Sequence, residues 1–67
     1  MNQYLLDAKI KEKGLTNESV AKELHIDPAT FYRKKKGESD FTRKEIQILR
    51  KILSLTHQEV DLIFFAN

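Results

Sequence analysis

The dipeptide Asp27-Pro28, followed nine residues later by Gly37, constrains the fold of this chain more than any other feature. An Asp side chain caps a helix N-terminus, and Pro supplies the preset φ of a first helical residue without losing a needed donor. Gly37 then stops the helix that began at Pro28. Upstream, Thr16 is a good N-cap for another short helix, with Glu18 in its first turn and Val20, Ala21 and Leu24 as its buried stripe. Residues 16–36 therefore read as helix, a turn at His25-Ile26, and helix.

The same punctuation divides the rest of the chain. Residues 2–13 predict a helix with Leu6 and Ile10 four apart on one face and Leu5 beside them. Gly14 follows, where a helix ends in a left-handed residue. Residues 38–41 read as a loop. Two capping boxes come next, Thr42-x-x-Glu45 and Thr56-x-x-Glu59, each setting a hydroxyl and a carboxylate on reciprocal backbone donors. They open helices over residues 43–53, with Ile46, Leu49, Ile52 and Leu53 inward, and over residues 57–65. No segment alternates with period two, so no sheet is expected. The prediction is an all-α, compact five-helix fold, one domain over residues 1–67.

A chain of 67 residues buries only ~60% of the surface its unfolded form exposes, so its stability should be a few kcal/mol. With no cysteine, neither disulfides nor a thiolate zinc site can add to that. Residues 1–13 hold no apolar run of signal-peptide length, and nothing approaches the ~18 residues of a membrane span. His25 and His57 lack any metal-ligand spacing and are expected to be a turn residue and a first-turn residue. Ser19, Ser39 and Ser54 lack a nucleophile context. Neither an enzyme, nor a metal site, nor a cofactor is expected. Asp7, Glu12, Glu18 and Glu23 are expected to pair with lysines along helix faces.

Charge is unevenly spread. Residues 33–51 hold eight basic residues against three acids, a net of +5 within a total of +2, so the remainder nets −3. A clustered positive surface on an otherwise slightly acidic protein suits phosphate binding. Its core is the run Arg33-Lys34-Lys35-Lys36 on the helix that starts at Pro28. That helix is ~13 Å long, and the major groove, ~12 Å wide, admits one helix.

The segment Gly14-Leu15-Thr16-Asn17-Glu18-Ser19-Val20-Ala21-Lys22-Glu23-Leu24-His25-Ile26-Asp27-Pro28-Ala29-Thr30-Phe31-Tyr32-Arg33, then Gly37, resembles the helix-turn-helix of lambda-repressor-like (Cro/repressor-type) domains. Those read approximately Gly-Leu-Thr-Gln-Glu-Glu-Leu-Ala-x-x-Leu-Gly-Ile-Ser-x-x-Thr-Ile-Ser-Arg-x-x-x-Gly, and no gap is needed. Phe41-Thr42-Arg43-Lys44-Glu45-Ile46 and Leu55-Thr56-His57-Gln58-Glu59-Val60 also look like small regulators of bacteriophages and prophages.

The resemblance implies sequence-specific binding of double-stranded DNA and transcriptional regulation, repressor- or Cro-like, in the cytoplasm of a bacterium or phage-infected host. By the same resemblance, Pro28, Ala29 and Thr30 occupy the groove-facing start of the recognition helix, with Tyr32 and Arg33 reaching bases. An Arg fork on guanine is worth ~1–3 kcal/mol of discrimination. Asn17, Lys34, Lys36 and Arg43 would bind phosphate, contributing affinity and salt dependence but little sequence preference.

The chain departs from the family pattern in three places. His25 stands where relatives have glycine, so a non-glycine must turn left-handed there. Pro28 and Ala29 carry no hydrogen-bonding side chain, which thins direct readout. An Arg of the first helix and a Glu late in the third, often paired in relatives, are Ile10 and Lys35 here. Ile10 is expected to pack on the Lys35 stem while the ammonium reaches water.

The C-terminal run Leu62-Ile63-Phe64-Phe65-Ala66 exceeds what one helix face can bury. With Val60, Ile63 and Phe64 inward, Leu62 and Phe65 face out and suggest a partner surface. The expectation is a homodimer through these two and Ile48, bridging half-sites ~34 Å apart; the alternative is a tail curled over its own core. The competing function is a protein-interaction module, an antirepressor or assembly adaptor, that keeps the fold without specific DNA binding.

Overall fold

In a computed structural model describing residues 1–66, the chain is all-helical, with five α-helices and no strand among the described residues. These are α1 (Gln3–Glu12), α2 (Asn17–Glu23), α3 (Pro28–Lys35), α4 (Arg43–Ile52) and α5 (His57–Val60). The first four agree with the sequence expectation to within one residue at each end. The fifth differs: after Val60 the helix widens into a π-helical turn, Asp61–Phe65, closed by Ala66 N–H on the Asp61 carbonyl at 2.8 Å.

Each helix starts on a side chain that accepts a backbone N–H three residues on: Asn2, Thr16, Asp27, Thr42 and Thr56. Both expected capping boxes form. A third, between Thr16 and Ser19, was hidden because Ser replaces the usual Glu or Gln at its far end.

Helix ends follow one pattern as well. Gly14, His25, Gly37 and Ser54 all have positive φ, from 53° to 86°. At each, two N–H groups turn back onto the last helical carbonyls; for His25 and Ile26 the acceptors are Lys22 and Ala21, both at 3.1 Å. That satisfies carbonyls the helix cannot. Three joints share one three-residue form: a left-handed residue, an apolar residue turned to the core, and the next helix's cap. They are Gly14-Leu15-Thr16, His25-Ile26-Asp27 and Ser54-Leu55-Thr56.

The core gathers Leu6 and Ile10 from α1, Val20, Ala21 and Leu24 around α2, Phe31 from α3, Leu49 and Leu53 around α4, and Leu55, Val60 and Ile63. Phe31 is fully buried. An edge-to-face chain runs from it through Phe41 (ring centroids 5.9 Å) to Phe64 (5.6 Å), pinning the loop after α3 to the C-terminal turn. Ile48 is partly buried and packs against this core. The Asn2 N–H donates to the Ile63 carbonyl at 2.8 Å, joining α1 to the π-turn.

Lys35 corrects the sequence expectation. Its side chain is only 4% exposed, and its ammonium donates to Asp7 Oδ1 of α1 at 2.6 Å and Asn17 Oδ1 of α2 at 3.1 Å, 5.5 Å from the Phe31 ring centroid. The ammonium does not travel to water because Asp7, beside the buried Leu6, brings a carboxylate to the edge of the core. An ion pair between the first and third helices is thus present, carried by Asp7 and Lys35.

Candidate functional site

α2 and α3 pack against one another, and the side of α3 facing away from that contact is open. Pro28, Ala29, Tyr32, Arg33 and Lys36 are exposed, and Phe31 and Lys35 are buried. Positions 28, 29, 32, 33 and 36 form one continuous helical face. Thr30, half-buried, stands at its edge.

A hydrogen-bonded chain organises the start of this face. Asp27 Oδ1 accepts the Thr30 N–H at 2.8 Å, and its Oδ2 accepts the Thr30 hydroxyl at 3.2 Å. Thr30 Oγ1 in turn accepts from Arg33 Nη2 at 3.3 Å. The Thr30 N–H and then its hydroxyl hold the Asp27 carboxyl below the usual carboxylate range. The result is an exposed Arg33 side chain drawn back toward the start of the helix.

The four cations of the basic run do not share that face. Lys34 turns toward α4 and donates to Glu45 Oε1 at 2.7 Å, both side chains largely buried. Burial works to raise the Glu45 carboxyl, but the hydrogen bonds from Lys34 and the Thr42 N–H outweigh it and hold it below its usual range. Lys35 is buried as described. Lys36 lies over the Tyr32 ring, 5.1 Å from its centroid, and 3.2 Å from Glu38 Oε2. The hydrogen bond it donates to Glu38 raises the Lys36 ammonium above its ordinary value. Only Arg33 of the four has no ion pair among the described residues.

Of the expected phosphate contacts, Asn17 is exposed with its carbonyl oxygen taken by Lys35, which leaves its NH₂ free to donate. Arg43 is exposed in the first turn of α4. Lys36 is on the open face and Lys34 is not. Sequence reasoning missed the acids that engage the run. Glu45 was visible only as a capping residue, Asp7 only as a helix-face charge, and Glu38 as loop.

A second surface surrounds the C-terminal turn. Tyr4, Leu62 and Phe65 are exposed at 89%, 52% and 66%. Two clefts flank Met1: one of about 350 Å³ bordered by Phe41, Ile46, Phe64 and Phe65, the other of about 440 Å³ bordered by Tyr4, Leu62 and Ala66.

Among the described residues no group of three or more His, Cys, Asp or Glu could hold a metal ion, and no helix is long and apolar enough to cross a membrane. No family model, curated protein or solved structure matches this chain.

Proposed function

We propose that the chain binds duplex DNA with the open face of α3, as a lambda-repressor-like helix-turn-helix formed by α2 and α3, and regulates transcription in the manner of small phage or prophage regulators. One observation carries this reading: Pro28, Ala29, Tyr32, Arg33 and Lys36 form an unobstructed stripe on a helix anchored from behind by Phe31 and Lys35. A rigid, exposed helix is what groove entry requires. Arg33 is the base-reading residue, with Pro28, Ala29 and Tyr32 in apolar contact with thymine methyls and Thr30 setting the Arg33 side chain. Lys36, Arg43 and Asn17 hold phosphate.

With Lys34 and Lys35 turned inward, about two to three phosphates are neutralised, giving a slope of about −2 to −3 in log K against log salt. Arg33→Ala should weaken a selected site more than random duplex, and Lys36→Ala should weaken both alike. A flat salt response would remove DNA as the partner.

The same reading includes a two-fold dimer through Leu62 and Phe65 with the partly exposed Ile48. An apolar knob beside a cleft suits the self-complementarity that a two-fold interface needs. The second reading, a protein-interaction module, is supported by the same exposed Tyr4, Leu62 and Phe65 and by the internal neutralisation of the basic run.

A further inference from the structure

Three lysines in a row are each met by a carboxylate from a different part of the chain: Lys34 by Glu45, Lys35 by Asp7 and Lys36 by Glu38. The first two pairs have an evident structural use. They are at least half-buried and tie α3 to α4 and to α1. The third does not. Lys36 and Glu38 are 43% and 54% exposed, two residues apart, and their contact joins no two elements. Exposed pairs of this kind contribute little to stability. What sets this one apart is its place, at the end of the open face of α3 beside the exposed Tyr32.

We propose that Glu38 is an internal competitor for the phosphate that Lys36 would bind, limiting how tightly the face holds nucleic-acid backbone. The proposal rests on the duplex-binding reading. A carboxylate oxygen 3.2 Å from the Lys36 ammonium presents the same chemistry as a phosphate oxygen: an anionic acceptor at hydrogen-bond distance. A duplex must therefore displace Glu38 to reach Lys36. That competition lowers backbone affinity, the term that supplies essentially all non-specific binding.

The test is a salt titration of binding to a labelled random-sequence duplex by wild type, E38Q, K36A and the double variant. E38Q should bind ~2–5-fold tighter, the range expected from releasing one exposed ion pair, with an unchanged slope, because Lys36 neutralises one phosphate in both proteins. In the K36A background the Glu38→Gln change should have no effect, because the cation it competes for is gone. Thermal melts should be unchanged, since the pair fastens nothing. E38Q binding like wild type would overturn the proposal. So would a gain that persists with K36A, which would reflect a general loss of negative charge. A wild-type chain without salt-dependent duplex binding would remove the DNA reading, and the role of Glu38 with it.

Discussion

Asp7 and Lys35 offer the sharpest test of how the three N-terminal helices are held together. Asp7→Ala leaves a buried ammonium with one neutral acceptor, Asn17 Oδ1, and the Phe31 ring. Removing one partner from a fully buried pair costs ~3–5 kcal/mol. The Asp7 side chain is 45% exposed, so water can partly replace it, and the cost falls toward the ~1.5–3 kcal/mol of a hydrogen bond to a charged group. Lys35→Met is the contrasting change. It keeps an unbranched stem over Phe31, removes the charge, and leaves Asp7 to water, for an expected cost of ~0–1 kcal/mol. The double variant should then resemble Lys35→Met alone. Urea melts of the four proteins measure this directly. At a slope of ~1 kcal/mol/M for so small a chain, Asp7→Ala should lower the midpoint by roughly 2 M. Equal losses for Asp7→Ala and Lys35→Met, or strict additivity in the double variant, would show that the ammonium is not held by Asp7.

Three further outcomes are expected. Glu45, Glu59 and Asp27 all have carboxyls held below their ordinary values, so their contribution is present above the unfolded carboxylate pKa of ~4 and lost as pH falls through the lower folded values. Acid melts should show stability dropping below about pH 4, and Glu45→Gln should flatten that drop; an unchanged profile would contradict it. His25→Gly and Ser54→Gly should each raise the melting temperature by a few degrees, because a left-handed non-glycine costs ~1–2 kcal/mol and glycine relieves most of it; a fall in melting temperature would refute the strain. Phe65→Ala should leave the melting curve nearly unchanged yet shift sedimentation toward monomer, and a wild-type chain that is monomeric at high micromolar concentration would rule the dimer out.

Most helix ends were legible because they are written locally. Thr16, Asp27, Thr42 and Thr56 act within three residues, and Gly14 and Gly37 act on their own backbone. The left-handed turn at His25 could be anticipated; the one at Ser54 could not, since Ser carries no such signal. The fate of Lys34 and Lys35 was illegible for the opposite reason. Their partners lie 11 and 28 positions away, in α4 and α1. Only packing decides which of four adjacent cations turns inward. The resemblance implied Pro28, Ala29, Thr30, Tyr32 and Arg33 on the groove side of this helix, with Lys34 and Lys36 beside them. That Thr30 is half-buried and Lys34 turns inward was not legible. The π-turn was missed because Leu62, Ile63, Phe64 and Phe65 are apolar at every step and fix no helical period.

The three compact joints, Gly14-Leu15-Thr16, His25-Ile26-Asp27 and Ser54-Leu55-Thr56, leave no slack in the chain. In each, the residue that finishes one helix and the residue that starts the next are separated by a single apolar anchor, so one inserted or deleted amino acid would break both signals and pull the anchor off the core. Residues 37–41 have no such triplet. Spacer mutagenesis should therefore find length tolerated after Gly37 and nowhere else among these four connections, which makes that stretch the natural place to lengthen or label the protein without unseating a helix.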